Sequence, residues 1–198
     1  MAALARADDD LARAWRIAGS PPLRKRPGGF PALLQTIVGQ QLSVASARAI
    51  WNRLAAAVGP LTPEGVLALD DESCRAIGLS RQKTRYIRDL ALAVRTGALD
   101  FAVLPRMTDA EVQGAMTAVR GIGPWTAQMY LLFALRRADV WPVDDLAVVE
   151  AVRRLKGLET RPGRREMEAL AEPWRPWRSA AALFLWHFYN KVSPGEWS

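Results

Sequence analysis

Val119-Arg120-Gly121-Ile122-Gly123-Pro124-Trp125-Thr126-Ala127 is the stretch that decides the fold of this 198-residue chain. Upstream, Thr108-Asp109-Ala110-Glu111 has capping-box spacing and opens a helix that runs to about Val119. Gly121-Ile122-Gly123 stops that helix, and Pro124 starts the next one at once. Two helices joined by a Gly-x-Gly hairpin present unpaired backbone N–H groups on one side, at a helix N-terminus. Glycine lets a phosphate approach with no Cβ in the way, and the helix dipole favours the anion. Such a clamp positions a nucleic acid without reading its sequence. A plain helix-turn-helix corner would use the same residues. A dinucleotide-binding loop is disfavoured, because no strand precedes the hairpin and no third glycine follows.

Working outward, nearly every periodic segment has helical spacing and no alternating strand is found, so the class is all-α. Helices are predicted over Asp8–Trp15, Phe30–Val38 and Ser43–Val58, with a proline-bearing loop at Gly19–Gly29 (Pro21, Pro22, Pro27). Thr62-Pro63 caps and starts another helix, and Asp70–Ile77 is a short one ended by Gly78. Ile87, Leu90, Ala91 and Val94 form one apolar helical face, and Val148, Val152 and Leu155 form another. Gly157–Arg165 reads as a polar, basic loop, and Arg175–Asn190 as the last helix.

Composition narrows the function. Half of the residues are apolar, enough for a core, yet no run approaches the roughly 18 needed to span a bilayer. Asp8, Asp9 and Asp10 stand where a signal peptide would carry cations, so a soluble, cytoplasmic protein is expected. At about 150 residues per domain the length predicts one domain. Cys74 is the single cysteine and His187 the single histidine, which excludes a disulfide, a cysteine-ligated zinc, an iron–sulfur cluster and histidine triads. The net charge is +7 and only Lys25, Lys83, Lys156 and Lys191 are lysines. Arginine's flat fork pairs with phosphate bidentately, a hint of nucleic acid.

Three further features carry chemistry. Asp144-Asp145 opens a helix about twenty residues beyond the hairpin. One of the pair suits the cap, but a carboxylate facing a ribose C1′ would also stabilise an oxocarbenium-like transition state. Trp125, Trp141 and Trp186 offer faces that could sandwich an extruded base, most strongly a cationic methylated one. Trp15, Trp51, Trp174, Trp177 and Trp197 are expected in the core, His187 as a packed or surface residue, and Cys74 as a partly buried, inert thiol. Gly39-Gln40-Gln41-Leu42-Ser43 is a polar turn whose amides could fill the gap left by such a base.

Taken in order, Ile37-Val38-Gly39-Gln40-Gln41-Leu42-Ser43, Ile77-Gly78-Leu79-Ser80, Gly121-Ile122-Gly123-Pro124-Trp125-Thr126-Ala127, Pro142-Val143-Asp144-Asp145-Leu146 and Pro176-Trp177-Arg178-Ser179 resemble the helix-hairpin-helix DNA glycosylases, specifically the 3-methyladenine DNA glycosylase II, or alkyl-base, branch. The likeness runs from about Phe30 to Trp186. It implies a two-lobed all-α fold with the DNA cleft between the lobes, and Asp145 as the catalytic aspartate with Asp144 as helix or loop support. It also implies a phosphate held by N–H groups around Gly121, Gly123 and Trp125. Gln41 falls on the wedge position, with Gln40 and Leu42 beside it, and Trp125, Met129, Leu146 and Trp186 on the base pocket. Some members bind Na+ or K+ through hairpin carbonyls, which map to Thr117, Val119 and Ile122; no cofactor is required.

Three departures from the family pattern matter. Trp125 stands where glycosylase/lyases carry a lysine nucleophile, which implies a monofunctional hydrolase. Met129 and Leu146 stand where bacterial relatives have tyrosines, giving a less aromatic pocket. The wedge is an amide. The resemblance thus implies a monomeric, nucleoid-associated enzyme that excises alkylated purines of the 3-methyladenine and 7-methylguanine type from duplex DNA, without an extra N-terminal β-domain. The rival readings are a non-catalytic DNA-binding module, separated by base release from methylated DNA, and a glycosylase for deaminated or oxidised bases, separated by a panel of lesion duplexes.

Overall fold

The computed structural model describes residues 1–22 and 28–193. Among them the regular structure is entirely helical: α1 Ala2–Ala7, α2 Asp9–Ala18, α3 Phe30–Gly39, α4 Val44–Val58, α5 Pro63–Leu67, α6 Asp71–Ile77, α7 Arg81–Arg95, α8 Asp109–Thr117, α9 Pro124–Phe133, α10 Leu146–Leu155, α11 Arg164–Ala171 and α12 Arg178–Lys191. Most starts are written in the sequence as side-chain caps. Asp8, Ser43, Thr62, Asp70, Ser80, Thr108 and Asp145 each accept a backbone N–H of the turn they open. Thr108 and Glu111 complete the predicted capping box.

Several boundaries differ from expectation. The helix α1 went unread, and α2 runs on to Ala18 rather than ending at Trp15, because Asp8 serves as C-cap of the first and N-cap of the second. The helix before the hairpin stops at Thr117, after which Val119 accepts the Ile122 N–H at 3.1 Å. The segment predicted as a loop over Gly157–Arg165 already enters α11 at Arg164, and the last helix starts at Arg178, not Arg175. Pro176 has no N–H to donate and disfavours helical geometry at Arg175. Pro27 and Trp197 lie outside the described residues.

The chain forms two compact units: a central one, Arg26–Leu135, and a terminal one built from Met1–Lys25 and Arg136–Ser198. In the central unit α3 packs on α4 and α7, α7 on α5 and α6, and α8 on α9. Its core holds Leu33, Leu34, Ile37, Val38, Leu54, Ile87, Leu90 and Ala91, all buried. Each of the Leu, Ile and Val side chains among them contributes roughly 1.5–3 kcal/mol on burial. Gly78 ends α6 in the left-handed region at φ 97°, and Arg53 Nε donates to the Ile77 carbonyl at 2.7 Å. Cys74 is buried rather than partly so, and burial pushes its thiol up, an inert environment.

In the terminal unit α10 packs against α12 and α2, and three carboxylates tie the pieces together. Asp8 caps α2, accepts Lys156 Nζ at 2.7 Å and accepts Trp174 Nε1 at 2.8 Å. Burial opposes its ionisation, but the bonds from Lys156, Trp174 and the Leu11 N–H prevail and hold it below the usual carboxylate range. Glu150, on α10, takes Arg153, Arg154 and Arg161 at 2.8, 3.3 and 3.0 Å. Arg153 foremost, then Arg161 and Arg154, bring it down to about 2 against the opposing effect of burial. Asp139 pairs with Arg178 at 2.7 Å and Arg175 at 2.8 Å, and Ser179 Oγ donates to the Arg137 carbonyl while accepting the Val140 N–H. Arg178 and Ser179 of the Pro176-Trp177-Arg178-Ser179 motif therefore hold the turn 137–140 that leads to the Asp pair.

Candidate active site and nucleic-acid interface

The two units bring together different parts of the predicted site. In the terminal unit Asp145 is the N-cap of α10: its Oδ1 accepts the N–H groups of Ala147 and Val148, each at 3.0 Å. The same oxygen accepts Trp186 Nε1 from α12 at 3.0 Å. The residue expected to carry the chemistry is thus also the cap. Asp144, expected to support the helix, instead is exposed and pairs with Arg164. Three donors on one oxygen fix the carboxylate's position and orientation. Trp186 is half-buried beside it, and Leu146 stands 72% exposed at the first position of α10.

Trp141 does not offer a face to a base. It is buried, meets Trp174 edge-on at 5.4 Å, and donates its Nε1 to the Met167 carbonyl at 3.1 Å. Trp174 is fully buried as expected, Trp15 and Trp51 are half-buried, and Trp177, expected in the core, is 48% exposed. It stands at the N-cap of α12, outside the helix. His187 packs through Nε2 against the Ala18 carbonyl at 2.9 Å.

In the central unit the hairpin's two glycines differ. Gly121 is left-handed at φ 92°, and a Cβ there would meet the Tyr86 ring at 2.4 Å. Gly123 has no such constraint: a Cβ would find no atom within 4 Å. No side chain caps α9, and among the described residues neither the Gly121 nor the Gly123 N–H donates to another backbone carbonyl. These are the amides an incoming phosphate oxygen could accept from.

The wedge turn follows α3. Gln41 is exposed and left-handed at φ 55°, a conformation that costs a non-glycine residue about 1–2 kcal/mol. Leu42 beside it is 39% exposed. Gln40, expected beside the wedge, donates its Nε2 to the Gly121 carbonyl at 2.9 Å, bracing the turn against the hairpin. Both glutamines border a cavity of about 380 Å³ with Lys83, Tyr86, Gly121 and Gly123. Lys83 Nζ donates to the Val38 carbonyl at the end of α3 at 2.6 Å, and desolvation lowers its affinity for the proton.

Trp125, 45% exposed, shares a cavity of about 530 Å³ with Gln35, Thr36, Gly39, Gln40 and Gln41. Met129, one turn along α9 and buried, lines a neighbouring cavity of about 230 Å³ with Gln35, Thr36 and Tyr130. Sequence reasoning missed Gln35, Thr36, Lys83 and Tyr86. One signal was available for the first two, since they are the sole polar side chains in Phe30–Gly39. Among the described residues no cluster of histidine, cysteine and carboxylates could hold a metal ion, and no helix is long and apolar enough to cross a membrane.

Comparison with known proteins follows the same residues. Residues 34–176 match the profile of the HhH-GPD superfamily base excision DNA repair proteins. A DNA-3-methyladenine glycosidase structure from Bacillus halodurans is 35% identical, superposes with a TM-score of 0.85, and is matched over 92% of this chain and 85% of that one. The 3-methyladenine DNA glycosylase Mag1 of Schizosaccharomyces pombe, solved with abasic DNA, is 30% identical with a TM-score of 0.79 over 90% of each chain. By sequence, DNA-3-methyladenine glycosylase 1 of the same yeast is 33% identical over 82% of this chain and 72% of that protein. Other relatives are longer: the chain spans 58% of one from Bacillus subtilis and 63% of DNA-3-methyladenine glycosylase 2 of Escherichia coli. This chain belongs to the HhH-GPD superfamily of base excision DNA repair proteins, on its alkyl-base branch.

Proposed function

We propose that the chain is a monofunctional DNA glycosylase that hydrolyses the N-glycosidic bond of alkylated purines in duplex DNA. The observation that carries this reading is Asp145, whose Oδ1 is held by two backbone N–H groups and the Trp186 indole. A fixed carboxylate is the group needed beside a sugar that becomes an oxocarbenium ion. A 3-methyladenine or 7-methylguanine base already carries positive charge. When its bond to C1′ breaks, the electron pair leaves with the base, which departs neutral and needs no general acid. Water then adds to C1′ and gives up a proton, with Asp145 orienting it. The relatives named above carry 3-methyladenine in their names, and one was solved in complex with abasic DNA.

The remaining residues supply binding. Gly121, Gly123 and Trp125 would receive a backbone phosphate, Gln41 would enter the vacancy left by the flipped nucleotide, and Trp125 and Met129 would contact the base. The carbonyls of Thr117, Val119 and Ile122 would be the ones to hold a monovalent cation in the α8–α9 turn. Val119 accepts one N–H, and each carbonyl oxygen has a second lone pair. Such an ion would fix the turn and add positive charge near the phosphate. A non-catalytic helix-hairpin-helix DNA-binding module would use the same capping bonds of Asp145, and base release decides between the two. Purified protein should free 3-methyladenine from methylated duplex and leave the strand intact until alkali is added. Absence of released base, or an adduct trapped by borohydride, overturns the reading.

A further inference from the structure

We propose that Gln35 and Thr36 read the edge of the extruded purine, an inference that rests on the glycosylase reading above. The two residues sit on the face of α3 that borders both cavities, one lined by Trp125 and the other by Met129. They interrupt a helix that is otherwise apolar. A polar pair at that place is not needed for packing, since the buried side of α3 is supplied by Leu33, Leu34, Ile37 and Val38. The Gln35 side chain is exposed and makes no hydrogen bond to another described residue. Thr36 Oγ1 donates to the Ala32 carbonyl at 2.9 Å, so what it offers the cavity is an acceptor. Across the cavity the Tyr130 hydroxyl is already engaged by the Gly29 N–H at 2.9 Å. Tyr130 accepts that bond and keeps its O–H to donate, whereas Gln35 is the carboxamide that borders both cavities, with a donor and an acceptor on one exposed side chain.

A carboxamide complements either kind of purine by turning over. Its oxygen accepts from the 6-amino group of an adenine, and its nitrogen donates to O6 of a guanine. One side chain can thus admit both 3-methyladenine and 7-methylguanine, with Trp125 and Met129 supplying the flat and apolar contacts. A carboxylate at the same position keeps only the acceptor.

The test is the ratio of release rates for the two bases from one methylated duplex, with the wild type beside Gln35→Glu, Gln35→Met and Thr36→Val. Gln35→Glu should move the ratio about tenfold toward 3-methyladenine, because O6 of guanine then faces an acceptor. Gln35→Met should slow both releases with little change in ratio, and Thr36→Val should slow 3-methyladenine more. Melting curves should coincide, since Gln35 is exposed. A Gln35→Glu ratio within about twofold of wild type, while wild type releases both bases, overturns the edge-reading role alone. Wild-type protein that releases neither base overturns the glycosylase reading and this role with it.

Discussion

Two helix N-termini in this molecule are built in opposite ways. At α9 the start is Gly123-Pro124, with no side-chain hydrogen bond capping the first turn. At α10 the start is Asp145, whose own oxygen occupies the equivalent position. The same dipole thus serves two purposes. An open N-terminus can take an anion from another molecule, whereas a filled one holds the protein's own anion still. The first is suited to grip a backbone phosphate and the second to face a developing cation.

The largest effect should come from the filled end. Asp145→Asn retains an oxygen that can cap α10, because Asn and Asp are comparable N-caps, but removes the charge. Excision should fall by about 100- to 1,000-fold, with melting and duplex binding near wild type. Asp144→Asn, which loses only an exposed pair with Arg164, should lower excision far less. If Asp144→Asn proves the inactive one, the two ends do not differ as described.

The open end separates into a structural and a binding glycine. Gly121→Val forces a β-branched residue into the left-handed region and against Tyr86. It should cost about 2–4 kcal/mol, or roughly 5–15 °C in melting temperature. Gly123→Ala meets nothing, so melting should hold while binding to damaged and undamaged duplexes falls alike, by about tenfold. Unchanged binding by a folded Gly123→Ala protein would make the hairpin a corner and nothing more.

Acid tests the support behind Asp145. Glu150, on the same helix, is held at about 2 rather than its ordinary 4.5, and Asp8 and Asp139 are lowered too. Between those values the unfolded chain binds more protons than the folded one, so stability present above about pH 4.5 is lost as pH falls toward 2. Glu150→Gln should lower the melting temperature at neutral pH and flatten its decline in acid. An unchanged slope would place the acid sensitivity elsewhere. The smallest effect is expected of Gln41→Ala, which should weaken binding to lesion duplex a few-fold. The dependence on log salt should hardly move, since that slope counts phosphates.

How much could be read beforehand follows from where the information lies. Caps and breakers are local, so Thr62, Thr108, Gly78 and Pro124 marked their helices, and the Asp pair was located correctly. That Asp145 rather than Asp144 caps α10 was not legible, because both residues suit a cap and only the backbone settles which one turns inward. The helix α1 was hidden because Asp8 both closes one helix and opens the next. Tryptophan burial depends on distant partners: Trp141 found Trp174 and the Met167 carbonyl, while Trp177 found neither. The Gln40 contact spans 81 positions in sequence, and no local pattern announces it.

That contact has a kinetic consequence when joined to the left-handed Gln41. A wedge that had to order itself at every step would lose conformational entropy each time it met a base pair, about 1–2 kcal/mol for each residue fixed. Here the turn is already bent and braced against the hairpin in the free protein. If the turn acts as the proposed wedge, the dwell at each site along a duplex would follow how readily that base pair opens, and weakened pairs would be favoured by their own instability before any pocket has judged them.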